Sequence, residues 1–536
     1  MKGKALFALI LSLVAALTVS FGETTGGEFK VENIAVYGEN PSDANRVFYE
    51  IFVGSFSDSN GDGCGDLQGI LRRLDYLNDG DPTSGLSLGV EGIWLTPIFA
   101  SSSYHKYDVN DYYTIDPSFG TMEDLQALID GCHQRGMLVI LDLVLNHTGT
   151  GNAWFQNFLN AHVLHNTMNL YYDFYTWIPA QEQAPAGRTF HLVENAGLQY
   201  ECNFSTGMPE LNYDNPLVRE KMLEVAQFYL NMGVDGFRFD AAKYIYYGDH
   251  AKTVSFWEWY IGELKAIKPE LYTVAEVWDS DGITDKYETA TNCFNFTASQ
   301  NDGILASTAK GGNVNKLTAY VESYLNSIHA INPEAMNLMF LSNHDMDRAA
   351  GYLTVASGNA YTAASLYLLS PGSPYLYYGE EIGMRGSNGA ATTDANRRLA
   401  MLWGDGDTVK DPTGTTYSPK KQTPYTLQDL LGQENSLYNH YKRLLMIRKA
   451  NPEIARGEYH ALTFPKTKVG GFTATWQGET VAVLHNTTKN PKTVDLQTAT
   501  DIPFDLIAAV AGLGNAALEG TLLTLDGQTS VVLRCK

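Results

Sequence analysis

The chain has 536 residues with 60 acidic and 37 basic side chains, so its formal net charge is −23 at pH 7. This length is too great for one small core and is sufficient for a barrel of about 250 residues with insertions and a further domain. A surface this negative repels nucleic acid and anionic lipid. We therefore exclude both as partners and expect a soluble protein that acts on a neutral substrate.

Residues 1–22 have the pattern of a signal peptide. Lys2 and Lys4 precede a largely apolar stretch over residues 5–19, and Ser20 and Gly22 follow as small residues near a cleavage point. The stretch is shorter than the roughly 18 to 20 apolar residues that a membrane span needs. We expect cleavage and secretion, which would change the net charge from −23 to −25 because only the two lysines are removed. The alternative is an uncleaved membrane anchor.

Five cysteines in so long a chain do not make a disulfide framework, and their odd number leaves at least one unpaired. They are Cys64, Cys132, Cys202, Cys293 and Cys535. No CxxC spacing indicates zinc. The pairing cannot be determined from the sequence.

The loop SDSNGDGCGDL (residues 57–67) predicts a structural calcium site, with oxygen donors at calcium-loop spacing and Gly63 available for a sharp turn. The candidate ligands are Asp58, Asn60, Asp62, the backbone carbonyl of Cys64, and Asp66. Gly69 occupies the position of the bidentate glutamate of an EF-hand, so this is not an EF-hand. Unpaired carboxylates in one turn would repel each other without a cation. The alternative is a solvated Asp/Gly turn.

Apolar β-rich runs alternate with longer amphipathic stretches, which predicts an α/β protein with a (β/α)₈ TIM barrel. The eight strand candidates span residues 47–56, 92–98, 137–147, 236–241, 271–278, 294–296, 337–345 and 374–381. The gap after the third strand is much longer than a usual βα unit and predicts a small inserted domain over residues 148–215. We assign residues 23–147 and 216–455 to the barrel. Short strands broken by turn residues predict a C-terminal β-sandwich over residues 456–536.

Four segments begin as apolar runs and end in polar side chains, which is typical of buried strands whose carboxyl ends open into an active site. In chain order they are LDLVLNHT (residues 141–148), GFRFDAAKY (236–244), VAEVW (274–278) and LSNHD (341–345). We expect their polar ends to converge.

Glycoside hydrolysis needs two carboxyl groups beside one acetal bond, one ionised and one protonated. Arg238 is two residues before Asp240, so both side chains lie on one face of a strand, and the guanidinium would hold Asp240 ionised as a nucleophile. Glu276 ends an apolar strand, where partial desolvation would keep its proton available for the leaving oxygen.

A third carboxylate, Asp345, could stabilise the positive charge of an oxocarbenium-like transition state. The imidazoles of His147 and His344 could bind sugar hydroxyls. Any one of these segments alone could be an ordinary βα junction, but coincidence is a poor explanation for four of them in this order.

In order and spacing, the four segments resemble the signature regions of the α-amylase family of glycoside hydrolases, from about residue 44 to the end of the chain. The resemblance implies a retaining mechanism with Asp240 as nucleophile, Glu276 as general acid/base and Asp345 as transition-state stabiliser. It also implies that the inserted domain forms one wall of the substrate cleft. Its supporting residues would be Asp142, His147, Arg238 and His344.

In SSSYHKYDVNDYY (residues 101–113), the resemblance implies that Tyr107 is a stacking platform for the sugar at the cleavage point and that His105 is a hydroxyl ligand. Many family members have glycine where this chain has Lys106, which we expect to place a charge at the cleft rim. MPELN (residues 208–212) resembles a fifth signature region of a form intermediate between oligosaccharide- and polysaccharide-cleaving relatives.

The residue after the nucleophile bears on linkage. Relatives that cut α-1,6 bonds tend to have valine there, whereas this chain has Ala241, which leaves room for an α-1,4-linked aglycone. Lys243 resembles the lysine that binds the following sugar in α-amylases, although Tyr244 replaces the usual histidine after it.

We therefore expect a monomeric, secreted hydrolase of α-1,4-glucosidic bonds in starch and maltodextrins, with structural Ca²⁺. One alternative is an oligosaccharide-directed relative, such as a cyclomaltodextrinase, an oligo-1,6-glucosidase or a transglucosidase. A non-catalytic amylase-like binding protein is a further alternative, which the complete set of carboxylates makes the weaker one.

Overall fold

The structure is a computed structural model that describes residues 45–390 and 392–535. The predicted signal peptide lies outside the described residues and stays a prediction. Up to residue 377 the strands are β1 (Phe48–Ile51), β2 (Gly92–Leu95), β3 (Phe99–Ser101), β4 (Val109–Ile115), β5 (Leu138–Leu143), β6 (Trp177–Pro179), β7 (Phe190–Val193), β8 (Leu198–Glu201), β9 (Gly236–Phe239), β10 (Tyr272–Ala275), β11 (Asn292–Cys293) and β12 (Tyr375–Tyr377). They are followed by β13 (Glu458–Thr463), β14 (Gly470–Trp476), β15 (Glu479–Asn486), β16 (Lys492–Asp495), β17 (Leu506–Gly512), β18 (Ala516–Glu519), β19 (Leu522–Leu525) and β20 (Thr529–Arg534).

The helices are α1 (Leu67–Arg72), α2 (Leu74–Leu77), α3 (Met122–His133), α4 (Ala153–Val163), α5 (Pro216–Asn231), α6 (His250–Ile267), α7 (Asp281–Thr284), α8 (Ile304–Ala309), α9 (Val314–Ile331), α10 (Asn359–Leu368), α11 (Leu427–Leu431), α12 (Leu437–Ala450) and α13 (Glu453–Arg456). The long helices are amphipathic. In α9, for example, Leu317, Val321 and Ile328 are buried at helical spacing. Among the described residues, no helix is both long and apolar enough to cross a membrane.

Seven parallel strands form a curled sheet in the order β11-β10-β9-β5-β2-β1-β12. The predicted strand over residues 337–345 lies between the two ends of this sheet and forms no continuous ladder. Its backbone makes one parallel bridge, Phe294 with Leu338, and accepts the N–H of Asn295 at 3.0 Å and the N–H of Tyr375 at 2.8 Å. These bonds close the barrel. They are few because the flanking strands, β11 and β12, have only two and three residues.

Alternation of side chains along the strands separates two apolar layers. Phe48, Trp94, Ile140 and Val274 belong to a cluster inside the barrel, while Tyr49 and the other outward residues pack under the helices. The α/β barrel that the sequence predicts is confirmed. Its interior is filled with side chains, so a substrate can reach only the ends of the barrel.

The insertion after β5 contains α4 and a small antiparallel sheet in the order β6-β8-β7. Its last segment returns to the barrel at MPELN, where Glu210 pairs with His147 in an antiparallel bridge. Glu210 is buried, and burial together with Glu201 raises its pKa to about 8.

The C-terminal region has one antiparallel sheet of five strands and one of three, which enclose their own core as in a sandwich. It docks on α9, where Glu322 accepts the backbone N–H of Ala461 at 2.9 Å. All five cysteines lie in the described part of the chain, and none of them forms a disulfide.

Candidate active site

The polar ends of the four signature segments meet at the carboxyl end of the barrel. Asp142 belongs to β5, Asp240 follows β9, Glu276 follows β10, and Asp345 follows the segment that closes the barrel. Three of these side chains reach the surface: Asp345 is 31% exposed, Glu276 16% and Asp240 11%, whereas Asp142 has no exposed area. The three predicted catalytic carboxyls are thus the ones that a ligand can touch.

Arg238 is fully buried and holds the first cluster of carboxylates. Its Nη1 donates to both oxygens of Asp142, at 2.7 and 2.9 Å, and to Oδ1 of Asp240 at 2.8 Å. Its Nη2 donates to Oε2 of Glu276. The predicted placement of Arg238 and Asp240 on one face is confirmed, but the contact with Glu276 was not expected from the sequence.

Asp142 makes hydrogen bonds with other protein side chains. Besides Arg238, it accepts the hydroxyl of Tyr107 at 2.9 Å and the indole N–H of Trp94 at 3.3 Å. Burial raises the pKa of Asp142 to about 6, although Arg238 opposes that shift. Without exposed surface it orients Arg238 and Tyr107 and does not meet a sugar.

A second cluster surrounds Asp345. Its Oδ1 accepts Nη2 of Arg398 at 2.6 Å, and its Oδ2 lies 3.0 Å from Nε2 of His344. Burial opposes ionisation of Asp345, but the charges of His344 and Arg398 hold its pKa well below the usual range. The ionised form of Asp345 is therefore favoured by its two cationic neighbours.

Two of the three predicted histidine ligands, His344 and His147, occupy different settings. His344 has no exposed side chain, and both of its ring nitrogens face protein groups, so no nitrogen is left for a sugar hydroxyl. His147 is also buried, but its Nε2 has no hydrogen-bond partner, and burial lowers its pKa. Of these two histidines, His147 is the one whose Nε2 has no hydrogen-bond partner, and the ring of Phe204 lies 5.3 Å away.

The loop between β3 and β4 carries Tyr107, whose ring stacks on His344 at 5.5 Å. Nδ1 of His105 lies 3.0 Å from Oγ of Ser103, and burial lowers the pKa of His105 to about 4, so the ring is neutral. Lys106 is not at the rim as expected. It is 9% exposed because its amine pairs with Asp116 at 2.7 Å. Its φ of +66° is a glycine-like conformation.

Ala241 follows Asp240 directly, and Lys243 is two residues further along the chain. The amine of Lys243 donates to the backbone oxygen of Trp278 at 2.7 Å and to Asp279 at 3.0 Å. Ala241 has φ +48° and ψ +37°, the left-handed region, which L residues adopt only at a cost. The turn that presents Asp240 is therefore held in a strained conformation, as is common at functional sites.

Sequence reasoning missed two residues of this site. Arg398 donates to Asp345, to the hydroxyl of Tyr104 at 3.1 Å and to the backbone oxygen of His344 at 3.0 Å. It comes from a loop with no recognisable motif. Glu50, on β1, accepts Nδ1–H of His344 at 2.6 Å. Glu50 could have been found from the sequence, because it is a lone acid at an inward position of an apolar strand.

The predicted calcium loop is held by its own side chains. Asp58 accepts the backbone N–H groups of Asn60, Gly61 and Gly63 and the hydroxyl of Thr408. Asn60 and Asp62 each accept one N–H two residues ahead, at 2.9 and 2.7 Å, and Asp66 caps α1. Over residues 45–390 and 392–535, no three His, Cys, Asp or Glu side chains are grouped to hold a metal. From the sequence, the carboxylates of this loop were expected to be unpaired. In the structure they have hydrogen-bond partners within the loop and at Thr408.

With this geometry in place, the chain can be compared with known proteins. A family profile described as the alpha amylase catalytic domain matches residues 50–457. The chain belongs to the alpha-amylase family. That match spans all of the predicted catalytic and sugar-binding residues.

Among relatives in the alpha-amylase family, Alpha-amylase 3 of Dictyoglomus thermophilum is 36% identical over 456 residues, 84% of this chain and 86% of that protein. The 4-alpha-glucanotransferase of Thermotoga neapolitana is 29% identical over 451 residues, 82% of this chain and 95% of that protein. The solved structure of Eubacterium rectale Amy13B superimposes with a TM-score of 0.85 at 30% identity, covering 96% of this chain and 100% of the other. The chain is thus an alpha-amylase family glycoside hydrolase.

Proposed function

We propose that this enzyme hydrolyses α-1,4-glucosidic bonds of starch, maltodextrins and related α-glucans with retention of configuration. The observation that carries the proposal is the meeting of three partly exposed carboxyls, Asp240, Glu276 and Asp345, around buried cations at one end of the barrel. Cleavage of a glycosidic bond needs such a set, whereas sugar binding alone does not.

In the first step Asp240, held in place by Arg238, attacks the anomeric carbon, and Glu276 protonates the departing glycosidic oxygen. The intermediate is a glycosyl ester of Asp240. Asp345, ionised beside His344 and Arg398, stabilises the positive charge that develops on the sugar ring.

In the second step water attacks the ester, and Glu276 accepts its proton. The contact with Arg238 Nη2 favours the carboxylate form of Glu276, which is the form that this second step requires. For the first step the protonated carboxyl must turn away from Arg238 toward the leaving oxygen. One guanidinium thus binds both carboxyls and keeps them side by side.

The surroundings of the leaving group support α-1,4 specificity. Ala241 has only a methyl side chain, so it adds little bulk beside Asp240. Phe204 lies 5.0 Å from Tyr244, and Trp278 stacks on Phe296 at 5.1 Å, so aromatic surface borders this side of the cleft. Phe204 is 46% exposed and Trp278 39%, and such faces bind the flat sides of successive glucose units.

The same aromatic faces favour one alternative, transfer to a second sugar in place of water, because they would retain an acceptor saccharide. The relative from Thermotoga neapolitana carries the name of a glucanotransferase. Product analysis on amylose, pullulan and cyclodextrin separates this activity and the oligosaccharide-directed activities from simple hydrolysis of starch.

Replacing Asp240 by Asn or Glu276 by Gln is expected to lower kcat on maltotetraose by several powers of ten. A positioned acid/base alone contributes roughly 10²- to 10⁴-fold, and Asp240 provides the covalent route. Folding is expected to persist because Asp142 still neutralises Arg238. The control is Asp235→Asn, the same substitution at the residue that precedes β9, whereas Asp240 follows β9. This control variant should keep wild-type activity per folded molecule. More than about a tenth of wild-type activity in either site variant is far above what these factors allow and refutes the roles.

Initial rates on maltotetraose and isomaltotetraose test the linkage. We expect α-1,4 cleavage to be faster, and faster α-1,6 cleavage would overturn the assignment. Ala241→Val should reduce the ratio of the α-1,4 to the α-1,6 rate because the added methyl groups narrow the cleft. Valine also strains the left-handed backbone by about 1 to 3 kcal/mol, so both absolute rates should fall and only the ratio is diagnostic. Ala241→Gly, which adopts this conformation freely, should leave the ratio unchanged.

A structural calcium ion in the loop over residues 57–67 is a further part of the proposal. All of its candidate donors are oxygens, as calcium requires, and Asn60 and Asp62 each keep a lone pair beyond the single N–H that they accept. The ion would tie the loop together and take no part in the reaction.

Calcium that binds only the folded state should raise the melting temperature, with a stabilisation of about 2.7 kcal/mol when free calcium is 100 times Kd. We expect chelator to lower the melting temperature, calcium to restore it, and Asp62→Ala to remove most of this response. Asp81→Ala is the matched control, because Asp81 makes the same kind of turn with Thr83 outside the loop. A melting curve that does not change after prolonged incubation in excess chelator refutes the calcium site.

A further inference from the structure

Glu50 is a buried acid at the inner wall of the barrel. It is 1% exposed and points inward from β1, like Phe48 two residues earlier. Its Oε1 lies 2.6 Å from Nδ1 of His344 and 3.2 Å from the backbone nitrogen of the same residue. Glu50 therefore fixes both the position of His344 and the direction of its ring.

The other ring nitrogen of His344 also faces acceptors. Nε2 lies 3.0 Å from Oδ2 of Asp345 and 2.7 Å from the hydroxyl oxygen of Tyr107. A neutral imidazole has one N–H, so one of its nitrogens would direct a lone pair at a carboxylate. Only the imidazolium donates to Glu50 and Asp345 at once.

The Tyr107 hydroxyl supports the same protonation state. It has one proton, and Oδ2 of Asp142 lies 2.9 Å away as an acceptor with no proton to offer while ionised. The proton of Tyr107 is thus committed to Asp142. The Tyr107 oxygen must then accept from His344, which requires a proton on Nε2.

We propose that Glu50 is a positioning residue that keeps His344 protonated on both ring nitrogens, so that Nε2–H of His344 donates to Asp345 and holds that carboxylate in position in the cleft. The significance for catalysis rests on the proposed role of Asp345. The assignment of the protonation state depends only on the hydrogen bonds.

The charges around His344 agree with this assignment. Burial alone would lower the pKa of His344, but the carboxylates of Asp345 and Glu50 outweigh it and raise the pKa to about 9. The titratable and charged groups that face His344 come from β1, the β3–β4 loop, β5, β9, its own segment and the loop after β12. They are Glu50, Tyr107, Asp142, Arg238, Asp345 and Arg398.

The direct test measures His344 itself in protein labelled with ¹⁵N-histidine. Its ring signals are identified by their loss in His344→Gln. In the wild-type enzyme both ring nitrogens should be protonated at pH 8, and the ring should titrate near pH 9. In Glu50→Gln, which keeps an acceptor but loses the charge, the titration should move down by about one pH unit or more. A neutral ring at pH 8 in the wild type overturns the proposal whether or not the variant folds.

The kinetic test uses an α-maltosyl fluoride substrate, whose leaving group needs no proton from Glu276. The alkaline limb of kcat/KM then reports other groups. We expect this limb to lie near pH 9 in the wild type and at lower pH in Glu50→Gln, with rates at pH 5.5 within about threefold of each other because His344 is charged in both.

Glu91→Gln is the matched control. Glu91 is a buried acid just before β2, where it accepts the N–H of Val47 just before β1. It lies at the opposite end of these strands from the site, so its replacement by Gln should leave the alkaline limb in place. An unmoved limb in Glu50→Gln, or an equal loss at every pH, contradicts the proposal. Lack of wild-type activity on every α-glucoside would refute the proposed function instead, and the ¹⁵N titration would still decide the state of His344.

Discussion

The site depends on one buried cation. Arg238 has no contact with solvent, and a buried guanidinium is tolerated only when carboxylates surround it. Asp142 supplies a fully buried partner, so Arg238 is neutralised independently of the cleft. Asp240 and Glu276 bind the same guanidinium from the exposed side. Their charges can therefore change during a catalytic cycle without leaving Arg238 unpaired.

Tyr107 links this cluster to a second one around His344. Hydrogen bonds run from Glu50 through His344 to Asp345, and through Tyr107 to Asp142 and Arg238. Carboxylates and cations are neighbours in both clusters, and the neutral Tyr107 hydroxyl joins the two. The members of this hydrogen-bond chain come from β1, β5, β9, the β3–β4 loop and the segment that closes the barrel, so the barrel must close before the site exists. This explains why the segment that closes the barrel also carries Asp345.

Much of this arrangement follows from the sequence. Six of the eight predicted strand ranges overlap strands of the barrel sheet, and the sharing of one face by Arg238 and Asp240 was also predicted, because strand periodicity is a local property. The strand predicted over residues 294–296 was wrong: β11 lies two residues earlier, at Asn292–Cys293, and residue 294 makes only an isolated bridge. The closing segment over residues 337–345 was predicted as a regular strand. Its irregular form was not predicted, since hydrogen bonds to short distant strands decide that form. Arg398 could not be found because its loop has no periodicity. The buried position of Lys106 depends on Asp116, ten residues away, and the left-handed backbone at Ala241 has no signal in composition.

The central claim is that Asp240 and Glu276 carry out two displacements at one anomeric carbon. The most direct measurement is the anomer that forms first when the enzyme cleaves maltotetraose, followed by ¹H NMR in the minutes before mutarotation. Two displacements preserve configuration, so the new reducing end should appear as the α-anomer and equilibrate to the mixture only afterwards. Initial formation of the β-anomer would mean a single displacement by water and would contradict the assignment of Asp240 as the nucleophile.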